Sequence, residues 1–213
     1  MSERRVLLVG LGNPPGEYAG TRHNVGAETI DRIAERLGAP LSRNRKVGCR
    51  IAEVRHGGAH LVLVTPEGYM NLCGRPVRAA ADWYRVPVGD VVVCHDDLDL
   101  PVGTLKVKRG GGHGGHNGLK DLDRAFGSPD YLRVRVGVGR PPGTMAARDH
   151  VLRRPTGGER DALEAARERA ADAMLALVTD GLEATQNRFH APSDAAGGTD
   201  PRTGAGPIEG KDR

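Results

Sequence analysis

Aromatic residues make up only 3% of this chain, cysteines number three, and no apolar run is long enough to span a bilayer. Each shortage excludes something. With so few rings, base stacking is a poor means of holding a nucleic acid, and any such partner would be gripped through its backbone without sequence preference. Cys49, Cys73 and Cys94 are scattered, odd in number and lack a C-x-x-C pair. That argues against a disulfide frame and a zinc site, and fits reduced thiols packed into the core of a cytoplasmic protein. Near the start, Val6 to Val9 is followed by Gly10 and then Asn13-Pro14-Pro15. It is too short for the hydrophobic segment of a signal peptide and reads as a strand.

Several catalytic signatures are missing too. Gly10 and Gly12 open a G-x-G pattern after that strand, but Pro15 stands where a dinucleotide fingerprint needs glycine. Pro14 and Pro15 also remove two N–H donors from the turn that would hold a pyrophosphate. No glycine-rich stretch ends in Gly-Lys-Ser or Gly-Lys-Thr, and none of the serines (Ser2, Ser42, Ser128, Ser193) sits in a G-x-S-x-G elbow. There is no HExxH. His113 and His116 lie in GGGHGGHNG with no helix yet to set them on one face, so they read as solvated or capping residues rather than metal ligands. Cys94 and His95 face opposite ways along a strand, which weakens any thiol–imidazole pair.

What is present is a chain of 213 residues, 38% hydrophobic and 27% charged, enough for one soluble domain with a real core. After residue 190 the composition turns to Gly, Ala, Pro and Asp, so 1–190 is expected to be the folded domain and 191–213 a disordered tail. Without that tail, 28 basic residues face 23 acidic ones, a charge of +5 that permits an anionic partner. Strands are expected at Val6–Leu11, Val47–Arg55, Leu61–Thr65, Val91–Cys94, Leu105–Lys108 and Leu132–Val138. Helical spacing marks Val25–Leu37, Pro76–Trp83 and Glu159–Val178. Interleaving of the two kinds predicts an α/β fold, a central sheet between helices.

Polar groups cluster just past the strands: Asn13, His23, Asn71, Asp96 and Asn117. Ligand sites of open α/β sheets gather at the carboxyl ends of strands, so these five are expected to converge. Histidine, aspartate and three amides without a nucleophile suit general-base activation of water, with Asp96 accepting from one imidazole nitrogen. Along TLKVKRG, Lys106 and Lys108 share one face, and Arg133 and Arg135 alternate with Leu132 and Val134, so two basic strands could clamp a phosphate.

The stretches GLGNPPGEYAGTRHNVG, GYMNLCGRPV, HDDLDLPVGTLKVKRGGGHGGHNGLKDL, YLRVRVGVGRP and DGLEATQNRFH together resemble the successive signatures of bacterial peptidyl-tRNA hydrolases, from Val6 to about His190. The resemblance implies a monomer with a mixed sheet surrounded by helices. It also implies hydrolysis of the ester between a peptide and the 3′ end of tRNA, with no cofactor and no metal. Carried over by position, His23 is the base, Asp96 its orienting partner, and Asn13 and Asn71 bind substrate and position the water. Asn117 holds the peptide backbone, Tyr18 and Met70 line the pocket, and the glycine stretch with His116 forms a mobile lid. Lys108 and Arg135 would grip the 5′ phosphate of the acceptor stem. NPPGEY departs from the family's order of Pro and Gly after Asn-Pro while keeping the interval from Asn13 to Tyr18. The competing class is a non-catalytic RNA-binding relative of the same fold.

Overall fold

Parallel partners on both sides explain why the first strand is apolar throughout. In a computed structural model that describes residues 3–190, β1 (Arg5–Gly10) lies between β4 (Ala59–Pro66) and β5 (Val91–Asp97) and runs parallel to both. Beyond β4 come β3 (Cys49–His56) and β2 (Ser42–Asn44), each antiparallel to its neighbour. Beyond β5 come β7 (Leu132–Gly137), parallel, and then the antiparallel edge strand β6 (Leu105–Arg109). The result is one seven-stranded mixed sheet in the order β2-β3-β4-β1-β5-β7-β6. The disorder expected of 191–213 concerns residues outside the described ones.

Strand alternation feeds two cores. Val6, Leu8, Leu61, Leu63, Val92 and Cys94 pack on one face, under α2 (Val25–Arg36) and α6 (Gly157–Thr179). Leu7, Val9, Val62, Val64, Val91 and Val93 pack on the other, under α3 (Gly74–Tyr84) and α4 (Asn117–Phe126). All three cysteines are buried and free, as composition suggested, and burial pushes each thiol up to about 12. Among the described residues no helix is long and apolar enough to cross a membrane.

Several short elements had no periodicity to announce them, β2, α5 (Ala147–Val151) and α7 (Gly181–Phe189) among them. Edge strand β6 is protected by α7, where Gln186 Nε2 donates to the Val107 carbonyl (2.9 Å) and His190 Nε2 accepts from the Val107 N–H (2.7 Å). Side chains thus stand in for a missing strand.

The start of α2 lies against the ends of β1 and β5 because two glycines meet there. A Cβ on Gly26 would sit 2.2 Å from the Cys94 carbonyl oxygen, and one on Gly10 would sit 2.3 Å from the Gly26 carbonyl oxygen. Alanine is the better helix former, yet Gly26→Ala should destabilise by about 2–3 kcal/mol through overpacking. Thermal unfolding should then shift down by roughly 5–10 °C for a domain of this size. The control is Gly158→Ala, which meets no atom within 4 Å and should leave the melting temperature in place.

Candidate active site

His23 sits on a single 3₁₀ turn, Arg22–Asn24, that leads straight into α2, and both neighbours anchor it. Arg22 is buried. Its guanidinium holds Glu159 by two bonds (2.5 and 2.6 Å) and donates to the carbonyls of His150 and Arg153, tying the turn to the chain around α5. Asn24 reaches back to the loop after β1: its Oδ1 accepts from the Asn13 N–H (2.9 Å) and its Nδ2 donates to the Asn13 carbonyl (3.0 Å). Asn13 Oδ1 in turn accepts from the Met70 N–H at 2.9 Å. With its oxygen so committed, the amide nitrogen of Asn13 is the end left for the cavity. Pro15 opens the short helix α1 (Pro15–Tyr18), where no N–H is needed, and Tyr18 comes out on the cavity wall, its ring edge-on to Tyr69 at 6.4 Å.

Asp96, at the end of β5, is almost wholly buried and accepts from two imidazoles at the same oxygen: His23 Nδ1 at 2.8 Å and His116 Nε2 at 2.9 Å from Oδ1. Burial opposes the carboxylate charge, but His23 and then His116 outweigh it and hold Asp96 well below the usual carboxylate range. Since a carboxylate only accepts, the His23 proton lies on Nδ1 and its Nε2 lone pair is free. Burial also opposes the His23 imidazolium, yet the charge and hydrogen bond of Asp96 raise His23 above 6.5.

Residues of metal-ligand type therefore converge where sequence spacing gave no sign of it, with three candidate atoms of His23, Asp96 and His116 within 4.8 Å. A tetrahedral ion would hold such atoms roughly 3.4 Å apart. The 2.8 and 2.9 Å separations fit shared protons.

These groups open on a cavity of about 800 Å³. All ten sequence-derived candidates line it: His23, Asp96, Asn13, Tyr18, Asn71, Met70, Asn117, His116, Lys108 and Arg135. The basic faces need one correction. Arg133 is 1% exposed and is no free cation; it donates to the carbonyls of Gly111 (2.8 Å) and Gly112 (2.9 Å) and lies 4.6 Å over the Tyr131 ring. The glycine segment is thus pinned at one end by Arg133 and at the other by His116. Arg135 donates to Asp97 at 2.7 Å, while burial and then Arg135 and Arg133 pull Lys108 below its ordinary 10.5. Sequence reasoning missed Arg22, Asn24 and the α5 wall with Arg148, and weighed His95 only as a ligand type and as the neighbour of Cys94. Arg22 and Asn24 had a local cue, since both flank the candidate base in sequence.

Comparison with known proteins points one way. The Peptidyl-tRNA hydrolase family profile matches residues 7–196. The peptidyl-tRNA hydrolase of Frankia alni is 50% identical over 185 residues, covering 87% of this chain and 93% of its own. That of Streptomyces coelicolor is 47% identical over 189 residues, covering 86% and 94%. A crystal structure of peptidyl-tRNA hydrolase from Acinetobacter baumannii superposes with a TM-score of 0.83 at 32% identity, over 90% of this chain and 98% of that one.

The linkage has a definite sign. A raised His23 value adds stability that is complete below 6.5 and lost as pH rises through the folded value; a depressed Asp96 value adds stability above 3.8 that is lost as pH falls through its own. Asp96→Asn should therefore bring the His23 titration, followed by NMR of its ring proton, down below 6.5, because the burial stays and the charge goes.

Proposed function

The chain belongs to the peptidyl-tRNA hydrolase family and is an enzyme that cleaves the ester joining a peptide to tRNA, and we propose that His23 is the general base of that reaction. The observation that carries this is the 2.8 Å contact of His23 Nδ1 with buried Asp96, which leaves Nε2 as an acceptor facing the cavity. His23 Nε2 takes a proton from water as the water oxygen attacks the ester carbonyl. The carbonyl oxygen becomes an oxyanion toward which the Asn13 amide can donate. When the intermediate collapses, the imidazolium returns the proton to the departing ribose oxygen, and free tRNA and a peptide acid leave.

Asn71 and Asn117, both exposed at the cavity rim, bind the peptide backbone, with Tyr18 and Met70 beneath it. The glycine segment closes over the bound chain. Lys108 and Arg135 take the 5′ phosphate of the acceptor stem, so the substrate is held by its two ends. The enzyme works as a monomer in the cytoplasm and calls for no metal or cofactor.

His23→Ala should lower kcat about 10²- to 10⁴-fold, the range of a lost general base; near-normal release of tRNA from a diaminoacyl-tRNA would refute the assignment. Replacing both Lys108 and Arg135 by Ala should raise KM for peptidyl-tRNA and flatten its salt dependence by about two phosphate contacts. A short peptidyl ester without a 5′ phosphate should be spared, and an equal loss on both substrates would count against the clamp.

A further inference from the structure

His116 is an unusual helix cap. Its Nδ1 faces the N–H groups of Gly118 (3.1 Å) and Leu119 (3.3 Å) at the start of α4. Those groups only donate, so Nδ1 holds a lone pair and the ring proton sits on Nε2. Serine, threonine, aspartate or asparagine would cap as well. None of them has a second nitrogen one bond farther out to reach the carboxylate of Asp96, as His116 Nε2 does at 2.9 Å.

We propose that His116 is a positioning residue for the hydrolysis: capping α4 fixes its Nε2–H as a donor to Asp96 Oδ1, the oxygen that also accepts from His23, so His116 governs how much of the Asp96 charge the base can feel. The inference rests on His23 acting as that base. Two donors on one oxygen compete, and each weakens the other's bond. The first helical residue after the cap is Asn117, so the same ring ties the peptide-facing end of α4 to the dyad.

The surroundings leave this exchange to Asp96. His95 packs its ring 5.1 Å from that of His116, donates from Nδ1 to the Asp96 carbonyl at 2.7 Å, and keeps Nε2 buried without a partner. Burial, then His116, pulls His95 down to about 3, so it adds no charge near neutral pH. The other charged or titratable groups on the cavity are Lys108, Arg133, His113, Arg148 of α5, Asp99, and Asp97 with its partner Arg135, with Tyr18 and Tyr69 on the wall beside them.

His116→Asn separates the two duties. Its Oδ1 can keep the cap, while its amide stops short of Asp96. Freed of one donor, Asp96 should hold the His23 proton more tightly and move the acid limb of the kcat/KM profile upward by roughly half a pH unit to one unit, since a hydrogen bond to a charged group is worth roughly one to two pH units and only part of it is passed on. At pH 6, with each profile normalised to its own plateau, this puts the variant about three- to tenfold below the wild type. An unmoved or lowered limb in the folded variant overturns the inference while leaving the base reading intact. A wild-type profile with no acid limb, or an active His23→Ala variant, overturns both. Ring ¹⁵N NMR of the wild-type protein is an independent check that needs no variant. It should find the proton on Nε2 of His116 and on Nδ1 of His23, and a proton on His116 Nδ1 would sink the proposal.

Discussion

One oxygen atom, Asp96 Oδ1, carries the charge on which the cavity is built. Asp96 stands at the end of a central strand flanked by parallel partners on both sides, and the residue is 3% exposed. An isolated carboxylate there would take up a proton, because burial costs the charged form several kcal/mol. Two N–H donors, from residues 73 positions before and 20 after, keep it ionised. The chain segments that bring them are otherwise unrelated: a 3₁₀ turn ahead of α2 and the cap of α4. A single requirement, solvating a buried anion with fixed donors, thus dictates that both segments meet at β5.

The scaffold holds them there by close contact more than by bulk. Gly10 and Gly26 let α2 approach the sheet until Ala27 N–H bonds the Leu11 carbonyl at 2.9 Å, which sets the height of the His23 turn above β5. Asn24 then copies that height to Asn13, and Asn13 to Met70, so three segments share one chain of hydrogen bonds. An imidazole and an amide held this way would need no reorganisation when charge develops beside them, the condition under which fixed dipoles act most strongly.

Most of the sheet and the long helices were legible because their side chains obey one period over many residues. Val6 to Val9 announced a strand buried on both faces, and Leu163, Ala166, Ala170, Met174 and Leu177 announced α6; all are buried. The convergence of Asn13, His23, Asn71, Asp96 and Asn117 followed from the rule that α/β sites form past strand ends. What stayed hidden depends on partners far along the chain. Nothing local distinguishes Arg133, locked onto glycine carbonyls, from Arg135 two residues on, since both alternate with apolar neighbours. His116 looked like a solvated or capping residue beside a glycine run. Capping was half its role, and the half that reaches Asp96 needed the fold. The three-residue strand β2 holds too few alternations, and the short helices α5 and α7 too few turns, for a period to show.

The cationic wall shows how an apparent defect can be useful. Register sets Lys106 opposite Arg135 and Lys108 opposite Arg133, and like charges directly across an antiparallel pair repel. Arg133 is relieved by two carbonyls, the Tyr131 ring and Asp123 at 3.5 Å, and Arg135 by Asp97. Lys108 sits between these guanidiniums, and its lowered value records the cost of burial and of their charges. Its ammonium lies so near the glycine segment that a Cβ on Gly111 would come within 2.6 Å of it. An anion placed beside Lys108 would offset that repulsion as well as add its own attraction, so this cation would hold it more strongly than a relaxed surface lysine. The same reasoning explains why Arg133 had to be spent on the glycine carbonyls. An unpaired Arg133 beside Lys108 would raise the repulsion in this wall and leave the segment above it unanchored.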